Sequence, residues 1–259
     1  MKKSRRSKCM RQYHVALERG EIGRYVFLPG NPGRVERMAK YLDKPYFVRQ
    51  NREYCTWNGY LDGELLSIVS TGIGGPSAAI AMEELGAIGA DTFIRTGTCG
   101  LLQDGMQRGD LVIATGSVRG GATADAYVPL SYPAVAHHEI VHDLIEAAKS
   151  NNYRHHTGII QCKDAFFLED PDRLPRKEQA QTEWDTWMRA GVVASEMESD
   201  TLFVIASIRG YRMGTVLLGL GGKAEDGPLK GTADDELERM TRCSLDAMRR
   251  CIARDKIKV

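Results

Sequence analysis

The sequence lacks the features that mark membrane-spanning and disulfide-rich secreted proteins. It contains no run of about 18 apolar residues, the length that a membrane-spanning helix requires. No apolar segment follows the basic residues near the N-terminus, so a cleaved signal peptide is not expected. The six cysteines show neither CxxC spacing nor the density of a secreted scaffold, and we interpret them as free thiols. These absences predict a cytoplasmic protein with no membrane partner.

An excess of charge of one sign is also missing. The 35 lysines and arginines nearly balance the 34 acidic residues, and the formal net charge is +1. This balance gives no overall attraction to nucleic acid, so no nucleic-acid partner is expected. The basic cluster MKKSRRSK at the start is the exception. A tether to nucleic acid or membrane is one interpretation of it, and a disordered basic tail over residues 1–12 is the interpretation that we prefer.

Short apolar runs alternate along the chain with longer helical patterns, which predicts an α/β layer fold with a central sheet. The predicted strands are Tyr25–Leu28, Glu64–Val69, Thr92–Arg95, Asp110–Thr115, Gly158–Cys162, Val192–Ser195 and Thr215–Leu220. The predicted helices are Ser77–Leu85, Ala136–Ser150, Glu198–Ile208 and Asp234–Arg254. The segment Ala165–Thr186 has many charges and weak periodicity, and it is predicted to form a loop over one edge.

Two strand-and-glycine segments indicate an oxyanion site. FLPGNPGR, from Phe27 to Arg34, runs from an apolar strand into a turn with exposed backbone N–H groups and ends on a cation. Such a turn is suited to hold an oxyanion, most plausibly phosphate. FIRTGTCG repeats the pattern, with Arg95 at a strand end and a hydroxyl on Thr98.

The segment VASEMES places Glu196, Met197 and Glu198 where a strand passes into a helix. One interpretation is a pair of acids favoured by the dipole at a helix start. The other is a sugar site, because a carboxylate there is able to accept hydrogen bonds from two vicinal hydroxyls of a ribose. Methionine would then supply an adaptable apolar surface.

Two further patterns point to other classes of protein. Gly72-Ile-Gly-Gly-Pro resembles a dinucleotide-binding turn but lacks GxGxxG spacing, so a tight turn before a helix is preferred. His138-Glu139-Ile-Val-His142 matches HExxH, in which two histidines on one helix face bind zinc and the glutamate acts as general base. Ile145 and Lys149 stand where the metzincin extension would place its glycine and third histidine. A zinc hydrolase centred on this helix stays open as the rival function.

Taken in order, these motifs resemble the nucleoside phosphorylases of the trimeric and hexameric α/β type, and within them the uridine phosphorylases. The similarity rests on LPGNPGRVE, STGIGGPS, IRTGTCG, Gly109-Asp110 and SEMES, spread over residues 14 to 222. It implies one domain over residues 13–259, with a central mixed, largely parallel sheet flanked by helices. It also implies phosphorolysis, in which inorganic phosphate displaces the base from C1′ of a nucleoside, with no further cofactor.

The resemblance assigns roles to particular residues. It implies a phosphate site formed by Gly30, Arg34, Arg95 and Thr98, with Arg52 from a neighbouring subunit. It implies a ribose site formed by Glu196, Met197 and Glu198, with His14 from a partner. The expected catalytic residues are Arg34, Arg95 and Glu198. Sharing of His14 and Arg52 implies a dimer as the catalytic unit, assembled as a trimer of dimers. Glu53, Ile73 and Ser77 resemble positions that hold K⁺ or Na⁺ in some members.

The base-binding region departs from both branches of the family. Where the uridine enzymes carry a glutamine and an arginine, this chain has Asp164-Ala-Phe-Phe-Leu-Glu-Asp-Pro-Asp-Arg173. Phe166 is expected to stack on the base, and Arg173 and Lys223 are the candidates for its polar edge. A purine-specific relative would carry an aspartate near position 222, which is glycine here. Uridine or a related pyrimidine nucleoside is therefore favoured, with purine nucleosides, a nucleosidase and a non-catalytic ribose-phosphate sensor as alternatives.

Overall fold

The computed structural model describes residues 11–221 and 233–257. The strands β1 to β10 are Tyr25–Leu28, Asp43–Asn51, Tyr54–Leu61, Glu64–Val69, Thr92–Leu101, Leu111–Gly120, Ala134–Val135, His155–Lys163, Ala194–Glu196 and Arg212–Gly219. The helices α1 to α7 are Pro32–Ala39, Gly75–Ala87, Ala122–Tyr127, His138–Ser150, Lys177–Arg189, Ser199–Arg209 and Asp234–Ile257. Two 3₁₀ turns, Phe166–Glu169 and Pro171–Arg173, lie between β8 and α5.

The strands form one sheet in the order β10-β6-β8-β9-β5-β1-β4-β3-β2, with β7 added beside β6. Because β5 also pairs with β10, the first five strands of this order close into a ring, and the last four extend from it. The mixed sheet flanked by helices is thus confirmed. Among the described residues, five strand pairs are parallel and five antiparallel, so parallel pairing does not predominate by number.

Both faces of the central strands are buried. Along β1, Val26 and Leu28 belong to a core that includes residues of α2 and α6, while Tyr25 and Phe27 belong to a core with residues of α4 and α7. Successive side chains of a strand point to opposite faces, so a strand covered on both sides reads as a continuous apolar run. This explains why β1 and β4 have the bounds predicted from sequence.

The loop predicted over Ala165–Thr186 is wrong in its second half, where α5 begins at Lys177. Ala180 is its buried residue, so the helix shows little of the apolar periodicity that predicts helices. Side-chain hydrogen bonds four residues apart, Gln179 to Glu183 and Gln181 to Asp185, support it instead. The strands β2, β3 and β7 and the short helices α1 and α3 were not predicted, and β2 is largely exposed.

The disordered tail over residues 1–12 stays a prediction, because most of it cannot be compared with the structure. Residues 1–10 lie outside the described residues, but Arg11 donates to Glu18 at 3.3 Å and the Gln12 N–H donates to Leu17 O at 2.7 Å. The cysteines at 55, 99, 162, 243 and 251 are free thiols, as predicted, and the structure shows that they are buried. Of the helices within the described ranges, none has the length and apolar character needed to cross a membrane.

Candidate active site

Arg95 is a buried arginine of β5, with 4% of its surface exposed. Its Nε donates to Glu196 at 2.8 Å and its Nη2 donates to Glu198. Its Nη1 is buried and has no hydrogen-bond partner in the part of the chain that the structure describes. A Cβ at Gly97 would lie 2.7 Å from Nη2, so glycine there lets the guanidinium pack against its own strand. Two carboxylates therefore fix the guanidinium, and its Nη1 group remains as a third donor that neither carboxylate engages.

Glu196 holds both Arg95 and the start of α6. Its Oε2 accepts from Arg95, and its Oε1 accepts the N–H groups of Glu198 at 3.0 Å and Ser199 at 2.6 Å. Burial acts to raise the pKa of Glu196, but Arg95 and the two amides outweigh burial and lower the pKa. Glu196 is thus an ionised carboxylate with both oxygens engaged inside the protein.

Glu198 is buried directly beside it. Its Oε1 accepts the N–H of Gly74 at 2.5 Å, and its Oε2 accepts from Arg95. Burial, with the nearby charge of Glu196, raises the pKa of Glu198 to about 7, against the opposing effect of Arg95. Gly74 has φ +90°, a conformation that favours glycine, which explains why the STGIGGPS turn needs this residue. Sequence reasoning treated that turn as a plain helix start and missed its contact with Glu198.

The turn after β1 lies next to the uncommitted donor of Arg95. A Cβ at Gly30 would be 3.8 Å from Arg95 Nη1 and 3.2 Å from Gly72 O. The turn is joined to the segment after β4, since Gly72 N–H donates to Gly30 O at 3.0 Å and Thr71 N–H donates to Pro29 O at 2.9 Å. The two glycine-rich segments and Arg95 therefore line the same space.

The end of this turn forms the start of α1, and two of its amides are occupied. Asn31 accepts the N–H of Gly33 through its side chain at 2.8 Å, and its carbonyl accepts the N–H of Arg34 at 3.0 Å. These two N–H groups are therefore bonded within the turn, and the oxyanion site predicted for the turn stays a prediction. Burial, followed by the positive charges of Arg95 and Arg37, lowers the pKa of Arg34 to about 10. Arg34 and Arg95 thus lie close enough to repel each other.

Thr98 and Met197 are half-buried neighbours in sequence of the residues described above. Thr98 lies three residues after Arg95 in β5, opposite Leu218 of β10. Met197 separates Glu196 from Glu198 at the end of β9. The structure brings Arg95, Glu196 and Glu198 together, with Gly30 beside Arg95 and Arg34 close enough for the two positive charges to act on each other.

His14 and Arg52 lie together at the surface. His14 Nδ1 is 2.7 Å from Glu84 Oε1, and Glu84 also accepts the backbone N–H of His14 at 3.0 Å. Arg52 is exposed, and its guanidinium lies 5.8 Å from the centre of the Tyr13 ring. The charges of Arg52 and His14 both interact with the carboxylate of Glu53, so the two side chains lie near one another. Their predicted role across a subunit interface stays a prediction.

The residues expected to hold a monovalent cation are partly joined. Glu53 Oε1 accepts from Ser77 Oγ at 2.8 Å, and this bond, after a bond to its own backbone N–H, lowers the pKa of Glu53. Ile73 is 77% exposed. A carboxylate and a hydroxyl are oxygen donors of the kind that hard cations accept.

The structure describes only part of the predicted base-binding set. Phe166 is 45% exposed and packs edge-to-face on Phe167, with ring centres 5.5 Å apart. The side chain of Arg173 and the whole of Lys223 lie outside the described residues. Sequence reasoning missed the buried Lys163 and its partner Glu169 in this region. The acids of this stretch were visible, but the chain pattern does not show which of them meets a buried cation.

The HExxH residues lie at the start of α4. His138 stacks on His137 with ring centres 4.9 Å apart, His142 is exposed, and Glu139 lies 3.5 Å from Arg254. Within residues 11–221 and 233–257, no group of three or more histidine, cysteine or acidic side chains is placed to hold a metal ion. A zinc hydrolase needs a third protein ligand, so this geometry does not support that rival function.

Fold and site define a family. Residues 24–253 match the phosphorylase superfamily, and the chain belongs to it. The family predicted from the motifs is therefore confirmed.

Three curated relatives show how the similarity is distributed. The chain is 40% identical to a uridine phosphorylase of Treponema pallidum (strain Nichols) over 246 residues, which are 94% of this chain and 95% of that protein. It is 45% identical to a uridine phosphorylase of Thermococcus kodakarensis over 210 residues, covering 79% and 75% of the two chains. It is 39% identical to a guanosine phosphorylase of Halorubrum lacusprofundi over 246 residues, covering 92% and 98%.

Proposed function

We propose that this protein is a nucleoside phosphorylase that uses inorganic phosphate to cleave uridine or a related pyrimidine nucleoside to the free base and ribose 1-phosphate. The observation that carries the proposal is the buried, unpartnered Nη1 of Arg95 beside Gly30. A buried donor without a partner costs about 1–3 kcal/mol, and an acceptor supplied by a ligand beside Gly30 would remove that cost. The names of the relatives support the choice of nucleoside.

The charge around Arg95 supports an anionic ligand. Glu196 and Glu198 offset the charge of Arg95, but Arg34 adds a second cation whose pKa burial and Arg95 lower to about 10. A phosphate bound between the two guanidiniums removes their repulsion, and arginine binds oxyanions through paired donors. We assign the phosphate to Gly30, Arg34, Arg95 and Thr98.

The reaction requires a nucleophile at C1′ and a grip on the sugar. An oxygen of phosphate forms a bond to C1′ as the C1′–N bond breaks, and the bonding electrons leave with the base, which takes up a proton. Positioning of phosphate and stabilisation of charge supply the catalysis. Glu198, when ionised, accepts the 2′- and 3′-hydroxyls, and Met197 packs on the ribose. Glu196 acts as a positioning residue, because its carboxylate already accepts three hydrogen bonds inside the protein, whereas that of Glu198 accepts one on each oxygen and keeps lone pairs for the hydroxyls.

The assembly and location of the enzyme follow as parts of the same proposal. We assign His14 and Arg52 to the site of a neighbouring subunit, with the dimer as catalytic unit, a trimer of dimers as the full assembly and the cytoplasm as location. Exposed apolar side chains near them, Tyr13 at 75% and Ile73 at 77%, support a contact surface there. Glu53, Ser77 and Ile73 are proposed to hold K⁺ or Na⁺ beside it.

A purine nucleoside is the second candidate substrate, because a guanosine phosphorylase is among the relatives. The test is a panel of purine and pyrimidine nucleosides assayed for base release with and without phosphate. We expect phosphate-dependent release, fastest with a pyrimidine nucleoside. Release that needs no phosphate would indicate a nucleosidase, and phosphate binding without any release would indicate a sensor. The variant Arg95→Lys keeps the charge but not the three-way geometry, and it should lose phosphate-dependent release while remaining folded.

A further inference from the structure

Lys163 is a buried cation that the reaction described above does not use. It is the last residue of β8, and 2% of its side chain is exposed. Its Nζ donates to Glu169 Oε1 at 2.6 Å and to Ser195 Oγ at 2.5 Å, and Ser195 Oγ donates in turn to Gln161 Oε1 at 2.8 Å. The Trp184 ring of α5 covers the ammonium at 5.8 Å. Burying a lysine is costly unless the charge is paired, so this network anchors one particular carboxylate, that of Glu169.

Glu169 faces the strand that carries the phosphate residues. A Cβ at Gly100 would lie 3.4 Å from Glu169 Oε1 and 3.9 Å from Oε2, so the absence of a side chain there lets the carboxylate approach β5. Gly100 follows Thr98 by two residues in β5 and therefore lies on the same face of the strand. The side chain of Glu169 is 29% exposed, so the carboxylate is accessible to a ligand while Lys163 is not.

The Arg95–Glu196 pair and the Lys163–Glu169 pair both lie near Cys99 of β5. The charges of all four side chains act on the Cys99 thiol. Strand pairing supports this proximity, because Cys162, which precedes Lys163 in β8, lies opposite Glu196 of β9. The Glu169 pair thus lies beside the proposed ribose and phosphate site, on the 3₁₀ turn that begins with Phe166.

We propose that Glu169, anchored by Lys163, is the specificity-determining residue that accepts a hydrogen bond from the ring N–H of the leaving base. This inference rests on the proposed function, because it identifies the base that the same site releases. An ionised carboxylate accepts hydrogen bonds and donates none. It suits the N3–H of uracil or the N1–H of guanine and hypoxanthine. It disfavours cytosine and adenine, which present a lone pair at the corresponding ring nitrogen.

This assignment explains why the family's uracil-reading glutamine and arginine are absent without loss of a base site. It also accommodates relatives that act on uridine and on guanosine, since both bases carry a ring N–H next to a carbonyl group. Buried polar recognition of this kind discriminates strongly, because the wrong base leaves a charged group unpaired.

The test compares Glu169→Gln with the wild-type enzyme. Lys163 has only donors, so the new amide turns its carbonyl oxygen to Lys163 and its NH₂ group to the base, which then suits a ring lone pair. We expect the ratio of kcat/KM for uridine over cytidine, and for guanosine over adenosine, to fall by about tenfold or more. Asp172→Asn is the matched control: Asp172 lies in the same stretch and pairs with exposed Lys177, so the ratios should not change.

A second measurement separates this inference from the proposed function. Binding of free uracil and free cytosine, followed by the fluorescence of Trp184 beside Lys163, requires no turnover. Uracil should bind in preference to cytosine, and Glu169→Gln should reduce that preference. If the wild type cleaves nucleosides but Glu169→Gln keeps both the rate ratios and the binding preference, the role of Glu169 is overturned while the proposed function stands. If no nucleoside is cleaved, the proposed function fails. The role of Glu169 is then judged only from the preference for uracil over cytosine in the binding measurement.

Discussion

Arg95 and Glu198 form a buried ion pair that joins the middle of β5 to the start of α6. The same carboxylate accepts the N–H of Gly74 at 2.5 Å, so one side chain connects β5, the start of α6 and a glycine turn. Breaking a buried pair by removing one partner costs about 3–5 kcal/mol, because the other charge is left unpaired. The protonation state of Glu198 therefore bears on both the stability and the activity of this protein.

The activity should depend on pH through Glu198. Burial raises its pKa to about 7, so the carboxylate is protonated below that pH and accepts sugar hydroxyls above it. We expect kcat/KM to rise between about pH 6 and pH 8, which is the range over which the free enzyme ionises. The profile of Glu198→Gln, measured at saturating phosphate, is the control, because any limb that remains there belongs to another group.

Stability should change with pH in the opposite direction. The folded protein binds this proton more tightly than the unfolded chain, whose glutamate has a pKa near 4.5. The contribution of Glu198 to stability is therefore present below about pH 4.5 and is lost as the pH rises through about 7. Thermal unfolding of the wild type and of Glu198→Gln from pH 5 to pH 8 should show a difference that falls with pH. A difference that rises with pH would contradict the raised pKa.

Replacing Arg34 should weaken phosphate binding selectively. A charge-assisted hydrogen bond contributes about 1.5–3 kcal/mol, so Arg34→Gln should raise the KM for phosphate by about 10- to 100-fold. Arg37 lies one turn further along α1 and pairs with exposed Asp234, so Arg37→Gln is the matched control and should change this KM by less than about twofold. Equal effects of the two substitutions would remove Arg34 from the phosphate site.

The HExxH histidines should not contribute to the reaction. Both His138 and His142 are exposed on α4, away from any group of metal ligands in the described ranges. The double variant His138→Ala and His142→Ala should keep phosphate-dependent cleavage within about twofold, and treatment with EDTA should leave the wild-type rate unchanged. Stoichiometric zinc that disappears from the double variant together with activity would restore the hydrolase hypothesis.

Gly86→Ala should destabilise the protein even though alanine favours helices. Inside α2 the substitution gains about 1 kcal/mol from helix propensity. The new Cβ would lie 2.2 Å from the Tyr211 hydroxyl oxygen and 2.8 Å from Cε2, and such overpacking costs about 1–3 kcal/mol. Chemical unfolding should therefore show a net loss.

The control for this substitution removes the obstructing ring. In the background of Tyr211→Ala, the change at Gly86 should be neutral or stabilising, because only the helix propensity remains. A similar loss in both backgrounds would show that the contact with Tyr211 is not the cause.

The fold was predictable where burial produces a regular pattern. β1 and β4 are covered on both faces and were placed correctly, and the long helix α7 was recognised over most of its length. β2 is exposed over most of its residues and α5 has one buried residue, so neither carries the periodicity from which elements are predicted. From the sequence, the turn after β1 was interpreted as a set of exposed amides. The structure shows that it leads into the short helix α1, whose cap, Asn31, is not evident from the residue pattern.

The local pattern of residues was sufficient to identify the family and to single out Arg95, Glu196 and Glu198, which the folded chain brings together. FLPGNPGR carries this information as one strand, one turn and the groups that follow at fixed spacing. FIRTGTCG lies wholly within β5, which continues to Leu101 beyond the strand end predicted at Arg95. Contacts between distant residues were decided by the folded chain alone. Glu198 meets Gly74 across 124 positions, Arg95 meets Glu196 across 101, and Lys163 and Glu169 come to lie over Gly100. Such contacts depend on strand order and register, to which no short stretch of sequence corresponds.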